Sequence, residues 1–201
     1  MNTSLATSTA PAFSHTNYLA RKKIFSFLGQ KYHLYAPDGT VAAFVKKAAF
    51  KLKEDIRVYT DESMSEELLT IKARQIIDFG ATYEVTDSKS GQKVGVLKRK
   101  GLKSILKDEW IVMDSGEREI GLVVEDSALM AMLRRFLSNL IPQNYDLLIG
   151  GERAADFKQR FNPFVFKMDI DFSMDAAAQR CDRRLAIAAV ILLLAIEGRQ
   201  G

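Results

Sequence analysis

The stretch 185-LAIAAVILLLAI-196 is apolar at every position, and its placement decides how the rest of the chain must be arranged. A helix with no polar face is either buried all round or inserted in a membrane. Twelve residues at helical rise span roughly 18 Å. A hydrocarbon core of about 30 Å needs about 20 apolar residues. Extending backwards would draw Asp182, Arg183 and Arg184 into lipid, at about 2.5–3.5 kcal/mol each on an insertion scale. Ala186, Ala188, Ala189 and Ala195 also keep the helix slim. It is therefore expected inside a closed structure made by the rest of the chain, with no transmembrane span. Ser173 or Asp175 can cap a helix over about 174–197, with Gly198 at its end.

The preceding sequence supplies a wall. The segments 32-YHLYAPDGTVAAFVKK-47, 83-YEVTDSKSGQKVGVLKRK-100 and 110-WIVMDSGEREIGLVVED-126 share one pattern. Each has an alternating apolar strand, an Asp/Gly turn and a return strand. The segment 145-YDLLIGGERAADFKQRF-161 repeats it with a Gly150-Gly151 turn, and 57-RVYTDESMSEELLTIKAR-74 is a looser copy. Alternation buries one side of each strand, while Asp and Gly adopt turn conformations that other residues resist. Ala42, Ala43, Gly95 and Gly121 recur on the return strands, where small residues allow curvature or close packing. Five hairpins give ten strands, and 23-KIFSFLG-29 and 163-PFVFKMDIDF-172 are candidates for two more.

The interval between the last two hairpins is longer than the others. There, 126-DSALMAMLRRFLSNLIPQ-143 places Leu129, Met130, Leu133, Phe136, Leu137 and Leu140 on one helical stripe. Ser127 or Asp126 can cap this inserted amphipathic helix, and Pro142 follows it. The fold class expected is thus all-β with a central helix. A closed antiparallel barrel of about twelve strands, wide enough to enclose a slim helix, is expected over residues 21–201. The Ser/Thr/Ala/Pro-biased residues 1–20 are expected as a flexible tail.

Composition narrows function by exclusion. In a chain of 201 residues Cys181 is the only cysteine, so neither a disulfide framework nor a cysteine-rich zinc site is available. The N-terminus lacks a basic segment followed by an apolar run, so no secretory signal is expected and a cytoplasmic location, peripheral at a membrane, is the reading. No Ser/His/Asp arrangement, phosphate-binding glycine loop or interpretable carboxylate pair is present, so an enzyme is not expected. Cys181 reads as a structural thiol and His33 as an exposed or satisfied strand histidine. Formal charge is +4, too small for a nucleic-acid partner to be expected.

The charges are nevertheless grouped. Lys98, Arg99, Lys100, Lys103 and Lys107 precede the first acid of their segment, Asp108. Lys46 and Lys47, with Lys51 and Lys53, form a second group interleaved with Phe44 and Phe50. Near an anionic membrane each such charge contributes about 1 kcal/mol. The same lysines also serve as solubilising charges that guard exposed strands.

In their order along the chain, 32-YHLYAPDGTVAAFVKKAAFKLKEDIRVYTDE-62, 68-LLTIKARQIIDF-79, 83-YEVTDSKSGQKVGVLKRKGLKSILKDEWIVMD-114, 160-RFNPFVFKMDIDFS-173 and 181-CDRRLAIAAVILLLAIEGRQ-200 resemble the LURP-one-related and phospholipid scramblase family. That family shares the tubby C-terminal-like fold. The resemblance covers about 22–200. It implies a twelve-stranded barrel around a hydrophobic C-terminal helix and, from tubby-like domains, binding of phosphoinositides or other anionic phospholipids through basic surface residues. From scramblases it implies calcium-dependent movement of phospholipids. The proline- and cysteine-rich scramblase N-terminal region is not visible here. A candidate calcium segment before the terminal helix contains Asp169, Asp171 and Asp175, whose carboxylates are hard oxygen ligands. Neither the loop glycine nor the bidentate glutamate of an EF-hand accompanies them. The expectation carried forward is a non-catalytic module that binds anionic headgroups at a membrane surface. Scramblase-like translocation and a soluble protein-interaction scaffold are the alternatives.

Overall fold

The computed structural model describes residues 10–23, 30–47, 55–77, 80–100, 109–125, 142–162 and 165–196. Twelve strands form one antiparallel wall. They are β1 Asn17–Lys23, β2 Gln30–Tyr35, β3 Val41–Lys47, β4 Ile56–Tyr59, β5 Glu67–Ile77 and β6 Gly80–Asp87, followed by β7 Lys93–Arg99, β8 Glu109–Met113, β9 Glu119–Glu125, β10 Asn144–Ile149, β11 Glu152–Arg160 and β12 Val165–Asp171. Each strand pairs with its sequence neighbours, and β1 closes the barrel against β12 through Asn17↔Asp171 to Lys23↔Val165. The five expected hairpins are β2–β3, β4–β5, β6–β7, β8–β9 and β10–β11.

The hairpins repeat at the level of register. Just inside each turn the pairing shifts by one residue, which leaves Ala42, Leu68, Val94, Ile120 and Ala154 unopposed. All five pack against the core. A bulge bends its strand and increases its twist, so one device turns the wall inward five times at the same end. The turns themselves share a second device. Asp38, Asp61, Asp87 and Asp114 each accept a backbone N–H from two or three residues ahead, at 2.7–2.9 Å. In the last hairpin Gly150 and Gly151 supply left-handed φ values of 60° and 85° instead.

The helix α1, Arg183–Ile196, fills the barrel. Every residue from Leu185 to Ala195 is at most 3 % exposed, and full burial of each large aliphatic side chain contributes about 1.5–3 kcal/mol. Gly95 is small because the helix passes it. A Cβ there would lie 2.4 Å from the Met113 carbonyl oxygen and 2.9 Å from the Leu185 side chain. Among the described residues no helix is long and apolar enough to cross a membrane.

The helix begins later than its sequence suggests. Ser173–Asp175 makes one 3-10 turn, and Gln179 adopts a left-handed φ of 46°. Asp175 is fully buried and accepts from the backbone N–H of Arg180 at 3.0 Å and of Cys181 at 3.1 Å, so it holds the chain before the helix rather than capping it. Asp182 is the cap. Its Oδ1 accepts from Arg184 N–H at 2.9 Å while its carbonyl accepts from Leu185 and Ala186.

The first strand differs as well. β1 spans Asn17–Lys23, so it begins within the stretch 1–20 expected as tail and ends on the first residue of the candidate 23–29. Tyr18, Ala20 and Lys22 alternate into the core, and that alternation outweighs the small, polar composition around it. The amphipathic helix expected over 126–141 lies outside the described residues.

Candidate functional site

Meander topology gives the barrel two unlike ends. The five hairpin turns, Asn17, Asp171 and the helix N-terminus share the turn end, marked by an Arg184–Asp87 ion pair at 3.0 Å. At the distal end the chain leaves β1, β3, β5, β7, β9 and β11, and the helix finishes. There Lys22, buried inside the wall, donates from Nζ to the Leu194 carbonyl at 3.2 Å and lies 5.6 Å from the Tyr32 ring centroid. A cation at a helix C-terminus satisfies a terminal carbonyl and complements the macrodipole.

The described members of both basic groups belong to the distal end, on different sides of it. Lys46 and Lys47 finish β3, while Lys98 and Arg99 finish β7 with Lys100 immediately after. Four strand steps separate β3 from β7, roughly 19 Å around the wall at about 4.8 Å per step. Lys46 and Lys98 are exposed and have no acidic partner among the described residues. Lys100 is exposed and paired with Glu109, beside a backbone bond from its N–H to the Glu109 carbonyl at 2.9 Å. Lys103 and Lys107 lie outside the described residues, as do Lys51 and Lys53. Of Lys47 only the backbone position is described.

Arg99 behaves differently from its neighbours. It lies two residues after the buried Leu97, on the same strand face, and pairs in register with Trp110, so it faces the interior while remaining half-exposed. Burial pushes the Tyr83 hydroxyl above its ordinary pKa, and the nearby Arg99 charge pulls it back. The Tyr83 and Trp110 ring centroids are 6.0 Å apart.

The three aspartates considered for calcium are not brought together. Asp169 and Asp171 do share the outer face of β12, as i, i+2 spacing requires, but Asp169 is gripped by Arg160 through two bonds of 2.5 and 2.6 Å. Asp171 accepts from Ser173 N–H at 2.7 Å, and Asp175 is spent inside on Arg180 and Cys181. Among the described residues no group of three or more His, Cys, Asp or Glu side chains is placed to hold a metal ion. The set does not fit calcium, and no step through that ion follows from it.

Cys181 is buried, and desolvation, helped by the charges of Asp175 and Asp182, pushes its thiol far above the ordinary range. Such a thiol is unreactive. His33 is held between the rings of Tyr35 and Phe44, at 5.8 and 5.0 Å, with Glu62 Oε1 at 2.8 Å from its Nε2. Neither residue has the surroundings of a catalytic group. Sequence reading missed Lys22 and Trp110 as interior polar residues. The signal was available in both cases, since each occupies an inward position of a period-two strand.

The class defined by these observations is a closed antiparallel barrel filled by its own terminal helix, with cations at the rim around the helix C-terminus. The LURP-one-related family model matches residues 41–194, and the chain belongs to that family. No curated protein matches the chain.

Proposed function

We propose that the protein is a non-catalytic module that binds anionic phospholipid headgroups at a membrane surface through the distal end of the barrel. The observation that carries this reading is Lys98, an exposed cation without an acidic partner among the described residues, beside Arg99 and Lys100. Lys46 adds a second such cation at the same end. Charges of one sign at a rim attract an anionic surface from several directions at once, and salt weakens that attraction. Family membership is compatible with this reading and leaves the lipid open.

The test is sedimentation of the purified protein with phosphatidylcholine vesicles, with and without phosphatidylserine, at low and moderate salt. The expected result is association with the anionic vesicles only, reduced as salt rises and weakened at least tenfold by Lys98→Glu with Lys100→Glu. Absence of binding to any vesicle refutes the proposal and favours a protein-interaction scaffold. Transfer of labelled lipid between leaflets by the bound protein would move the reading to scramblase-like translocation.

A further inference from the structure

The interior of the distal end holds two cations with different surroundings. Lys22 is committed to the helix carbonyl of Leu194. Six strand steps away, on the opposite wall, Arg99 stands in register with Trp110. Trp110 is 2 % exposed, and its indole Nε1 has no hydrogen-bond partner among the described residues. An indole N–H donates and cannot accept. Left unmade inside a protein, such a bond costs about 1–3 kcal/mol, and an orphan of this kind in a native core points to an occupant. No described residue supplies the acceptor, and Arg99, half-exposed, marks the side from which one can arrive.

We infer that Trp110 and Arg99 form an anion site just inside the distal mouth, which takes a phosphate group with one oxygen on indole Nε1 and another on the guanidinium. A guanidinium has five N–H donors, so Arg99 can hold a phosphate oxygen together with a protein partner. Charge favours phosphate, because Lys98 and Lys100 flank Arg99 along the chain and a phosphate is the more highly charged of the common oxyanions. The rings of Tyr83 and Trp110 pack against each other on the inner side of the site. This site rests on the headgroup reading and deepens it, since it separates a bound phosphate from diffuse attraction to the rim. The phosphate comes from a lipid headgroup or from a free phosphate, and both present the same chemistry.

Trp110 is the only tryptophan of the chain, so its fluorescence reports on the site directly. The intact protein is titrated with inorganic phosphate, and separately with phosphatidylcholine vesicles containing phosphatidic acid. Emission is expected to change saturably, and Arg99→Gln, which keeps the reporter, is expected to abolish the change. Trp110→Phe, with folding checked by thermal melting, is expected to weaken sedimentation with phosphatidic acid vesicles about tenfold. A response to phosphate alone makes the ligand a soluble phosphate, and a response to vesicles alone makes it a lipid headgroup. If wild type sediments with anionic vesicles while Trp110 emission stays fixed and Arg99→Gln binds equally, the site is overturned and surface attraction stands. If wild type neither sediments nor responds to phosphate, both readings fall.

Discussion

The two ends of the barrel are built from the same hairpins and use their charges differently. At the turn end most charge is consumed locally, with Lys89 left exposed in the β6–β7 turn. Asp38, Asp61, Asp87 and Asp114 hold their own turns, Asp182 caps the helix, Asp175 ties the chain before it, and Arg184 joins Asp87 to Asp182. Even the exposed Glu117 is shared between Lys93 and Arg74, which also meets Glu84. At the distal end one cation, Lys22, is spent on the helix, while Lys46 and Lys98 stand without acidic partners among the described residues. Charges used up in turn geometry stabilise a fold. Charges left over at a rim remain available to something else.

The contrast can be broken most severely through the element that links the ends. A chain terminated before Leu185 loses the side chains that fill the barrel, and its thermal scan is expected to show no cooperative transition. A soluble, cooperatively melting truncation would contradict the buried-helix account. Next is Asp175→Ala, which strips acceptors from the N–H of Arg180 and Cys181 in a fully buried site. A loss of about 3 kcal/mol in denaturant unfolding is expected. Lys22→Met keeps the length of the side chain but leaves the Leu194 carbonyl without that donor. It is expected to cost about 1–2 kcal/mol, less than Asp175→Ala, because Asp175 accepts from two backbone N–H groups and from the Arg180 guanidinium.

The smallest effect is electrostatic and belongs to the turn end. The Lys93 ammonium, and after it the Arg74 guanidinium, hold the Glu117 carboxyl down at about 2 from an ordinary 4.5. A carboxylate depressed in the folded state contributes stability that is complete above its unfolded pKa and lost as pH falls through its folded pKa. The window is therefore between about 4.5 and 2. Melting temperature is expected to fall across it, and Glu117→Gln is expected to flatten that part of the profile. Because the pair is exposed, added salt shrinks the difference.

The architecture was legible because its signals are periodic. Alternation and turns with Asp or Gly marked all five hairpins, and a run too short for a bilayer placed the helix inside, where Leu185–Ala195 is buried. Gly95 was legible as a place of close approach, although only the structure names Leu185 as what approaches it. Boundaries were harder. Asp175 has the residue type of a helix cap, but three-dimensional partners took its carboxylate and left the cap to Asp182. Composition hid β1, whose inward Tyr18, Ala20 and Lys22 pair across the closure of the barrel, a contact between chain positions about 150 apart. The same non-locality limits any reading of the site. Lys98 and Lys46 were visible as clusters, whereas their common end, their separation around the wall and the orphan indole of Trp110 depend on strand order and register.

One hairpin contains the whole comparison. Lys89 is exposed in the β6–β7 turn and Lys98 is exposed near the other end of β7, so the same charge reversal can be made at either end of one supersecondary unit. The measurement is sedimentation of Lys89→Glu and Lys98→Glu with anionic vesicles at low salt, with thermal melting as the folding check. Wild-type binding is expected for Lys89→Glu and a several-fold loss for Lys98→Glu. Equal loss in the two variants, or a loss confined to Lys89→Glu, would contradict the assignment of the distal end as the binding end.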